Sequence, residues 1–280
     1  MGTTGLTAAE WGTMVGLKKG FFRQYGIDLQ DVAANAPNNV QALIGGSIQM
    51  VSSAPDSVIL PIEHGANLVA VGGESLAVFR LIGARGVSSI SDLRGKTLSA
   101  SRANGPDVAI LRELLGGAGI KPAEYQFVYA GGSGPRLAAV QNGGAAATLL
   151  VPPEDLRAIG GGLVDLGLAT AKTKPLLLGG FFVSRDWATT HRQALVSTLR
   201  GYDRALTWLN DPANKDEASS ILASYTKLDI AVAQKTYDEY VVQAKGFSAH
   251  GELNQQAFQD VMENLADFGQ LKRPLPPLSK

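Results

Sequence analysis

One stretch of the sequence shows the order of turn, strand and turn from which we infer the fold: Gly45-Gly46-Ser47-Ile48-Gln49-Met50-Val51-Ser52-Ser53-Ala54-Pro55. It places two glycines before a short apolar strand, and the turn after that strand ends in proline. A stretch with the same order begins 98 residues later at Gly143-Gly144 and ends at Pro153. The match predicts two lobes built on one plan. A plainer interpretation stays open, namely that Gly-Gly and Pro occur at the turns between elements in any α/β protein.

Helical segments alternate with short apolar strands on both sides of these stretches. The predicted strands are residues 27–32, 48–51, 68–71, 96–100, 125–129, 145–151 and 176–184. From Arg185 onward the pattern favours helices alone, at residues 193–210, 216–225, 229–243 and 254–268. Strands that alternate with helices at this spacing indicate mainly parallel sheets joined by crossover helices. We therefore expect an α/β fold followed by a helical end.

The composition excludes several classes of function. The 280 residues carry 25 Lys and Arg against 25 Asp and Glu, so there is no excess of positive charge for nucleic acid or anionic lipid. Cysteine is absent, which rules out disulfides, thiol nucleophiles, thiolate zinc sites and iron–sulfur clusters. No apolar run approaches the roughly 20 residues that span a bilayer. The first residues lack the basic and apolar regions of a secretion signal.

Catalytic motifs are scarce. The three histidines, His64, His191 and His250, are far apart in the sequence, and none has the spacing of a metal site. No Gly-x-Ser-x-Gly motif supplies a hydrolase nucleophile. Residues 131–136 resemble a phosphate loop but lack its Lys-Ser/Thr pair. We expect no catalytic residue, no metal and no cofactor.

Small-residue turns between strands and helices favour ligand binding. They lie at residues 52–55, 101–106, 131–134 and 151–153. In a parallel sheet such turns meet at the carboxyl ends of the strands, where open α/β folds bind ligands. The N–H groups of helix N-termini favour carboxylate, sulfonate or phosphate groups. Each turn taken alone is better explained as a helix cap, but four such turns that face one crevice favour a binding site.

Three larger side chains stand near these turns, and each has two interpretations. Arg102 either pairs with an anionic ligand or lies solvated at a helix end. Glu74 either neutralises an amine on a ligand or forms an ion pair at a lobe junction. Trp11 either stacks on a ligand or packs in the core.

The order of motifs resembles the solute-binding proteins of ABC importers, in the nitrate/sulfonate/taurine (SsuA/THI5-like, NMT1-like) group. The resemblance rests on Lys19-Gly20-Phe21-Phe22 with Tyr25-Gly26-Ile27-Asp28-Leu29, on Ser91-Asp92-Leu93-Arg94-Gly95-Lys96, on Leu149-Leu150-Val151-Pro152-Pro153 and on Trp208-Leu209-Asn210-Asp211-Pro212. These motifs extend over nearly the whole chain. Family members normally begin with a strand just before the position of Gly2, where this chain has almost nothing.

The resemblance implies a two-lobed periplasmic receptor, with the type II periplasmic-binding-protein fold, that closes on a small molecule and delivers it to a membrane permease. It implies a monomer with residues 1–76 and 184–280 in lobe I and residues 77–183 in lobe II. Hinge strands are expected near residues 77–83 and 176–183. The residues it places in or near an interlobe cleft are Glu10, Trp11, Ser53, Glu74, Arg102, Ala103, Asn104, Gly105, Gly132, Ser133 and Pro152. A small organic anion is the expected ligand.

Two other functions remain open at this stage. One is an enzyme of the same superfamily, similar to decarboxylases or menaquinone-pathway enzymes, with Arg102 as substrate anchor and Glu74 or His64 as acid or base. The thiamin-pyrimidine synthases are excluded because their cysteine-rich motif is missing. The other is a sensory domain that binds the same kind of ligand and signals to a partner protein.

Overall fold

The chain folds into two units. The computed structural model describes residues 1–3, 7–34, 36–169, 172–174 and 176–278. Unit 1 contains Met1–Leu76 and Leu176–Lys280, and unit 2 contains Ala77–Pro175. In the part of the chain that is described, no helix is both long and apolar enough to cross a membrane.

The elements follow the alternation that the sequence predicts. The strands are β1 (Gly2–Thr3), β2 (Val32–Ala33), β3 (Met50–Ser53), β4 (Leu68–Leu76), β5 (Arg80–Gly83), β6 (Thr97–Ala100), β7 (Gln126–Tyr129), β8 (Ala147–Leu150), β9 (Val164–Leu168) and β10 (Leu177–Ser184). The helices are α1 (Trp11–Lys18), α2 (Phe21–Gln24), α3 (Ala36–Ile44), α4 (Asp56–Glu63), α5 (Pro106–Gly117), α6 (Ser133–Gln141), α7 (Glu154–Gly160), α8 (Arg185–Thr190), α9 (Arg192–Leu209), α10 (Lys215–Thr226), α11 (Ile230–Thr236) and α12 (Gln255–Asp267). A π-helical turn, Tyr237–Gln243, continues α11.

The strands described form two sheets of five, one in each unit. Their orders are β2-β1-β3-β10-β4 and β7-β6-β8-β5-β9. In unit 1, β1 pairs parallel with β2 and β3, while β10 lies antiparallel between β3 and β4. In unit 2, β6 pairs parallel with β7 and β8, while β5 lies antiparallel between β8 and β9. Four strands of each sheet therefore run in one direction, which confirms the mainly parallel sheets.

The two similar stretches of sequence occupy equivalent places in the two sheets. Strand β3 lies between α3 and α4, and strand β8 lies between α6 and α7. Helices α4 and α7 begin at Asp56 and Glu154, again 98 residues apart. The Gly-Gly and Pro pattern thus lies at the same helix–strand–helix segment in both units.

The expected end of the second lobe is wrong. We expected residues 77–183 to form it, but residues 176–183 belong to unit 1. The reason is that β10 pairs with β3 on one side and with β4 on the other. Strand β5 pairs only within unit 2. Each of the two expected hinge strands is thus a member of a single sheet.

The strand predicted at residues 27–32 is reduced to Val32–Ala33. Its neighbour β1 is only two residues long, so the ladder between them joins Gly2 to Val32 and Thr3 to Ala33. The Met1 ammonium adds one hydrogen bond to the carbonyl of Gln30, at 2.7 Å. Although the sequence has almost nothing before Gly2, β1 still lies between β2 and β3 in the sheet.

Glycines let three helices of unit 1 pack closely. A Cβ on Gly201 in α9 would lie 2.6 Å from the Phe22 ring and 3.0 Å from the Phe22 Cα in α2. A Cβ on Gly12 in α1 would meet the Leu206 and Tyr202 side chains of α9 at 2.8 and 2.9 Å. These glycines lie inside helices, where an alanine would be the better helix former. They are explained by the close approach of the helices.

Gly201→Ala is expected to lower the free energy of unfolding by about 1–2 kcal/mol, because overpacking against Phe22 outweighs the better helix propensity of alanine. Denaturant unfolding measures the change. Gly116→Ala in α5 is the matched control, since no atom lies within 4 Å of its added Cβ. A Gly201→Ala protein as stable as the control variant would contradict the packing argument.

Candidate functional site

The carboxyl edge of the unit 2 sheet brings three predicted turns together. Strands β6, β7 and β8 are neighbours that point the same way, and α5, α6 and α7 begin just after them. The turns that lead into these helices therefore emerge at one edge of the sheet. Arg102 and Asn104 are half-buried in the first turn, and Ala103 is exposed. In the other two turns Gly132 is exposed, Ser133 is half-buried and Pro152 is buried.

A buried ion pair joins the first two of these turns. The Asp107 carboxylate accepts hydrogen bonds from Ser101 N at 2.6 Å, Ser101 Oγ at 2.5 Å and Arg136 Nη1 at 2.7 Å. Arg136 also donates to Ser133 Oγ at 3.2 Å and to the Gly132 carbonyl at 3.4 Å. The side chains of Arg136 and Asp107 are 5% and 1% exposed. One guanidinium thus holds the end of β6 and the start of α6 in a single geometry.

Arg102 lies in the first of these turns, next to the ion pair in the sequence. Burial lowers the pKa of Arg136, and the nearby charge of Arg102 acts in the same direction. Arg102 follows Ser101, whose N–H and hydroxyl both donate to Asp107, so its backbone adjoins the ion pair. A Cβ on Gly105 would lie 2.5 Å from Asp107 Oδ1, and still closer to Ser101 Oγ, so only glycine fits there.

A second buried ion pair lies at the start of β5, on the same edge. Arg80 donates from Nε to Asp155 Oδ2 at 3.2 Å and from Nη1 to Asp165 Oδ2 at 2.7 Å. Asp155 follows Pro152 and Pro153 in the first turn of α7 and is fully buried. This pair ties the third turn to the first residue of β5.

Sequence reasoning missed all five residues of these ion pairs as parts of the site. A weak signal was present, because Asp107 and Arg136 each follow a proline in the first turn of a helix. The sequence predicts that such turns meet at one edge of a sheet, but it does not show which two of them are neighbours. Their partnership depends on the order of the strands.

In unit 1, Trp11 packs in the core. Its side chain is fully buried, and its indole N–H donates to the Ala218 carbonyl at 3.0 Å. Its ring meets Tyr237 edge-on, with 5.8 Å between the ring centres. Of the two interpretations that the sequence left open for Trp11, the structure supports core packing and leaves no exposed face for stacking.

Glu74 and Glu10 form a buried acidic pair in unit 1. Glu74, near the end of β4, is 2% exposed. Its carboxylate accepts hydrogen bonds from Ser52 Oγ, and from Thr13 Oγ1 at 3.4 Å. Glu10 accepts from Thr7 N at 3.1 Å and Thr7 Oγ1 at 2.6 Å, which closes a capping box before α1. Burial raises the pKa of Glu74, and the negative charge of Glu10 raises it further.

The serine that reaches Glu74 is Ser52, one residue before the predicted Ser53. Side chains on neighbouring positions of a strand point to opposite faces of the sheet. The hydroxyl of Ser53 pairs instead with that of Ser57, at 2.8 Å. Tyr202 OH donates to the main-chain carbonyl of Glu74 at 3.1 Å and so holds the backbone at this point of β4.

Asp107→Asn is expected to lower the free energy of unfolding by about 3 kcal/mol, because it leaves the buried Arg136 charge without its counter-charge. Chemical denaturation at neutral pH checks this. Glu154→Gln, which removes the Arg157–Glu154 pair on the surface of α7, is the control and should cost less than about 1 kcal/mol. Equal losses in the two variants would contradict the role of burial.

Glu74→Gln is expected to make stability less dependent on pH. Below the usual pKa of 4.5, the Glu74 carboxyl is protonated in both the folded and the unfolded chain. Above it the unfolded chain loses the proton while the folded chain keeps it, so wild-type stability falls as pH rises, by at most about 1.4 kcal/mol per pH unit. Unfolding curves between pH 4 and pH 8 measure both slopes.

A matched change at an exposed residue, Glu113→Gln, controls for the loss of a glutamate. If Glu74→Gln and wild type show the same slope, the buried carboxyl does not retain its proton.

Comparison with known proteins identifies relatives across the chain. The NMT1/THI5-like family model matches residues 9–153, more than half of the chain. A protein of Brucella abortus, which carries only the provisional description of a binding protein, is 26% identical over 98% of this chain and 87% of its own length.

Solved structures have the same fold at lower identity. The alkanesulfonate-binding protein SsuA of Xanthomonas axonopodis, bound to MOPS, superposes with a TM-score of 0.76 at 19% identity, over 99% of this chain and 93% of its own. The nitrate-binding protein NrtA of Synechocystis gives a TM-score of 0.80 at 14% identity, over 98% and 82%. A ligand-binding component of an ABC-type import system from Staphylococcus aureus gives 0.82 at 15% identity, over 98% and 92%. By the extent of the family match and by these superpositions, the chain belongs to the NMT1/THI5-like family and has the fold of the periplasmic binding proteins.

Proposed function

We propose that this protein is the solute-binding component of an ABC importer. It captures a small organic anion, a sulfonate or a carboxylate, and delivers it to a membrane permease from the periplasm. The names of the structural neighbours, which include sulfonate- and nitrate-binding proteins, support a transport role. The edge of unit 2 supports the choice of an anion.

The observation that carries the proposal is the Asp107–Arg136 pair. It holds the turn at Arg102–Gly105 against the turn at Gly132–Ser133, and both turns lead directly into helices. The first N–H groups of a helix have no partner within the helix and favour negative charge. The charge of Arg102 lies beside them. An edge that is fixed by a buried ion pair and that carries oriented N–H donors beside a guanidinium suits a sulfonate or carboxylate group.

A binding role is better supported than a catalytic one. His64 follows the last residue of α4, and α4 begins at the carboxyl edge of the unit 1 sheet. An eight-residue helix places its two ends about 12 Å apart. His64 is thus at the wrong end of the helix to act as acid or base on a ligand held at that edge.

A thermal-shift screen of sulfonates, carboxylates, amino acids and pyrimidines tests the proposal. A compound present at about 100 times its Kd should add about 2.7 kcal/mol of stability. Sulfonates or carboxylates should stabilise the wild-type protein, and Arg102→Ala should weaken their binding at least tenfold, as expected for the loss of a charged hydrogen bond. Arg112→Ala, on the exposed side of α5, is the control and should bind as wild type does.

Absence of any shift across these four classes would overturn the proposed function. A transport role further predicts that the gene lies beside genes for a permease and an ATPase. A neighbouring sensor kinase would instead favour the sensory alternative.

A further inference from the structure

We propose that strand β7 of unit 2 is an interaction surface for a second copy of this chain, whose own β7 pairs with it in the antiparallel direction. The inference is independent of the proposed function, and it departs from the monomer that the family resemblance implies. It begins from the position of β7 at one end of the unit 2 sheet, where among the described strands it has a neighbour on one side only.

The backbone of β7 turns hydrogen-bonding groups toward the outer side of the sheet, where none of the described strands pairs with them. The N–H groups of Gln126 and Ala130 donate to the carbonyls of residues 96 and 100, at 3.0 and 2.9 Å, on the side of β6. In a strand the backbone groups of successive residues point to opposite sides. Those of Phe127 and Tyr129 therefore point away from β6.

The other three ends of the two described sheets carry features that hinder pairing with a further strand. At β4, the Gly73 N–H donates to the Gly251 carbonyl at 2.9 Å, in the loop that precedes α12. Strand β9 shifts its register against β5, and its Gly167 has a φ of +99°. Strand β2 has only two residues. Covered, irregular or very short edges are the usual protection against pairing between edges.

Strand β7 has none of these features. Its residues, Gln126–Tyr129, pair with β6 in continuous register and include no proline, glycine or charged side chain. The side chains of Val128 and Tyr129 are 40% and 51% exposed, although both residue types favour strands that are covered. Exposed apolar side chains on a regular outer strand are typical of a strand that pairs with another chain.

The geometry favours a second copy as the partner, because the edge is complementary to itself. Two identical strands that pair in the antiparallel direction are related by a two-fold axis. With the axis at Val128, Phe127 lies opposite Tyr129 of the second copy, so both outward-facing residues of each strand are used. Each of these pairs exchanges two N–H···O=C hydrogen bonds, and Val128 lies opposite Val128 of the second copy.

The side chains agree with this register. Phe127 and Tyr129 project from the same face of the sheet with their ring centres 6.3 Å apart, and the Tyr125 ring lies 5.3 Å from that of Phe127. The pairing therefore places Phe127 of each copy across from Tyr129 of the other, and cross-strand aromatic pairs stabilise sheets. A two-fold axis also brings identical charges together, but residues 125–135 carry none.

The size of the surface and the charge of unit 2 limit the strength of the dimer. Unit 2 has 11 Lys and Arg against 7 Asp and Glu, a net charge of +4, whereas unit 1 has 14 against 18, a net charge of −4. The charge of unit 2 opposes pairing through this unit, and salt screens it. Two strands of this length also bury much less than the roughly 1,200–2,000 Å² of stable complexes. We therefore expect a weak dimer that salt strengthens.

Sedimentation equilibrium between about 10 µM and about 1 mM protein tests the inference, since this range covers weak association. The dimer fraction should rise with protein concentration and with added sodium chloride. Hydrogen exchange of single amides at the two ends of the range identifies the surface. The N–H groups of Phe127 and Tyr129 should become about threefold or more better protected at the high concentration, while those of Gln126 and Val128 should be protected throughout.

Two substitutions should weaken the dimer at least about tenfold. Val128→Lys puts two positive charges opposite each other at the axis. Tyr129→Pro removes an outward-facing donor and keeps the N–H groups that bond to β6, a change that an edge strand tolerates. Val32→Lys is the matched control, because Val32 is 53% exposed in the edge strand β2 of unit 1, and it should dimerise as wild type does. Thermal unfolding checks that each variant is folded.

Three outcomes would overturn the proposal. The first is a protein that stays monomeric at about 1 mM in high salt. The second is a dimer that both β7 variants leave intact, because another surface would then hold it. The third is protection of Phe127 and Tyr129 that does not change with concentration, because a segment of the same chain would then cover the edge.

Discussion

Much of the structure depends on one antiparallel strand in each sheet. That strand lies between two strands that run the other way. In unit 1 this strand is β10, which pairs with β3 and β4 at once and brings the chain back after unit 2 is complete. It must pass the buried Glu74 side chain, and the carboxylate occupies the place that a Cβ at position 179 would need. Gly179 makes that passage possible, and the register of the ladder shifts on either side of it. The limits of unit 1 and the burial of its acid thus have the same cause.

The second constraint is that burying a charge requires a counter-charge. Unit 2 meets it internally: Arg136 is paired with Asp107, and Arg80 with Asp155 and Asp165. Such pairs add little net stability compared with apolar packing, but removing one partner is costly. Their value here is geometric, because each connects the end of a strand to the first turn of a helix.

Sequence reasoning succeeded where the signal is local. The Gly-Gly and Pro pattern around β3 and β8 reports turns and strand ends, and these are properties of a few neighbouring residues. It failed where the outcome depends on distant partners. Residues 27–31 alternate like a strand but are not part of one, because β1 offers only two residues to pair with. The boundary at residue 183 was wrong because pairing decides which sheet a strand joins.

The same distinction explains the candidate site. Turn residues such as Gly105 and Gly132 were predicted from their position between a strand and a helix. Asp107 and Arg136 were missed because they meet only when β6 and β7 become neighbours. Trp11 is a residue that the sequence placed near the site but that packs in the core instead. Side-chain alternation in β3 directs Ser52 to Glu74 and Ser53 to Ser57, a difference that depends on strand register.

The zero net charge of the chain conceals the feature that bears most directly on the ligand. Zero arises as the sum of −4 in unit 1 and +4 in unit 2, so neither unit is itself neutral. Because screening limits surface electrostatics to about 8–10 Å in physiological salt, a small ligand responds to the charge of the residues around it and not to the total. In unit 1 those residues include the buried Glu74 carboxyl, which accepts hydrogen bonds from Ser52 and Thr13, and in unit 2 they include the Arg136–Asp107 pair.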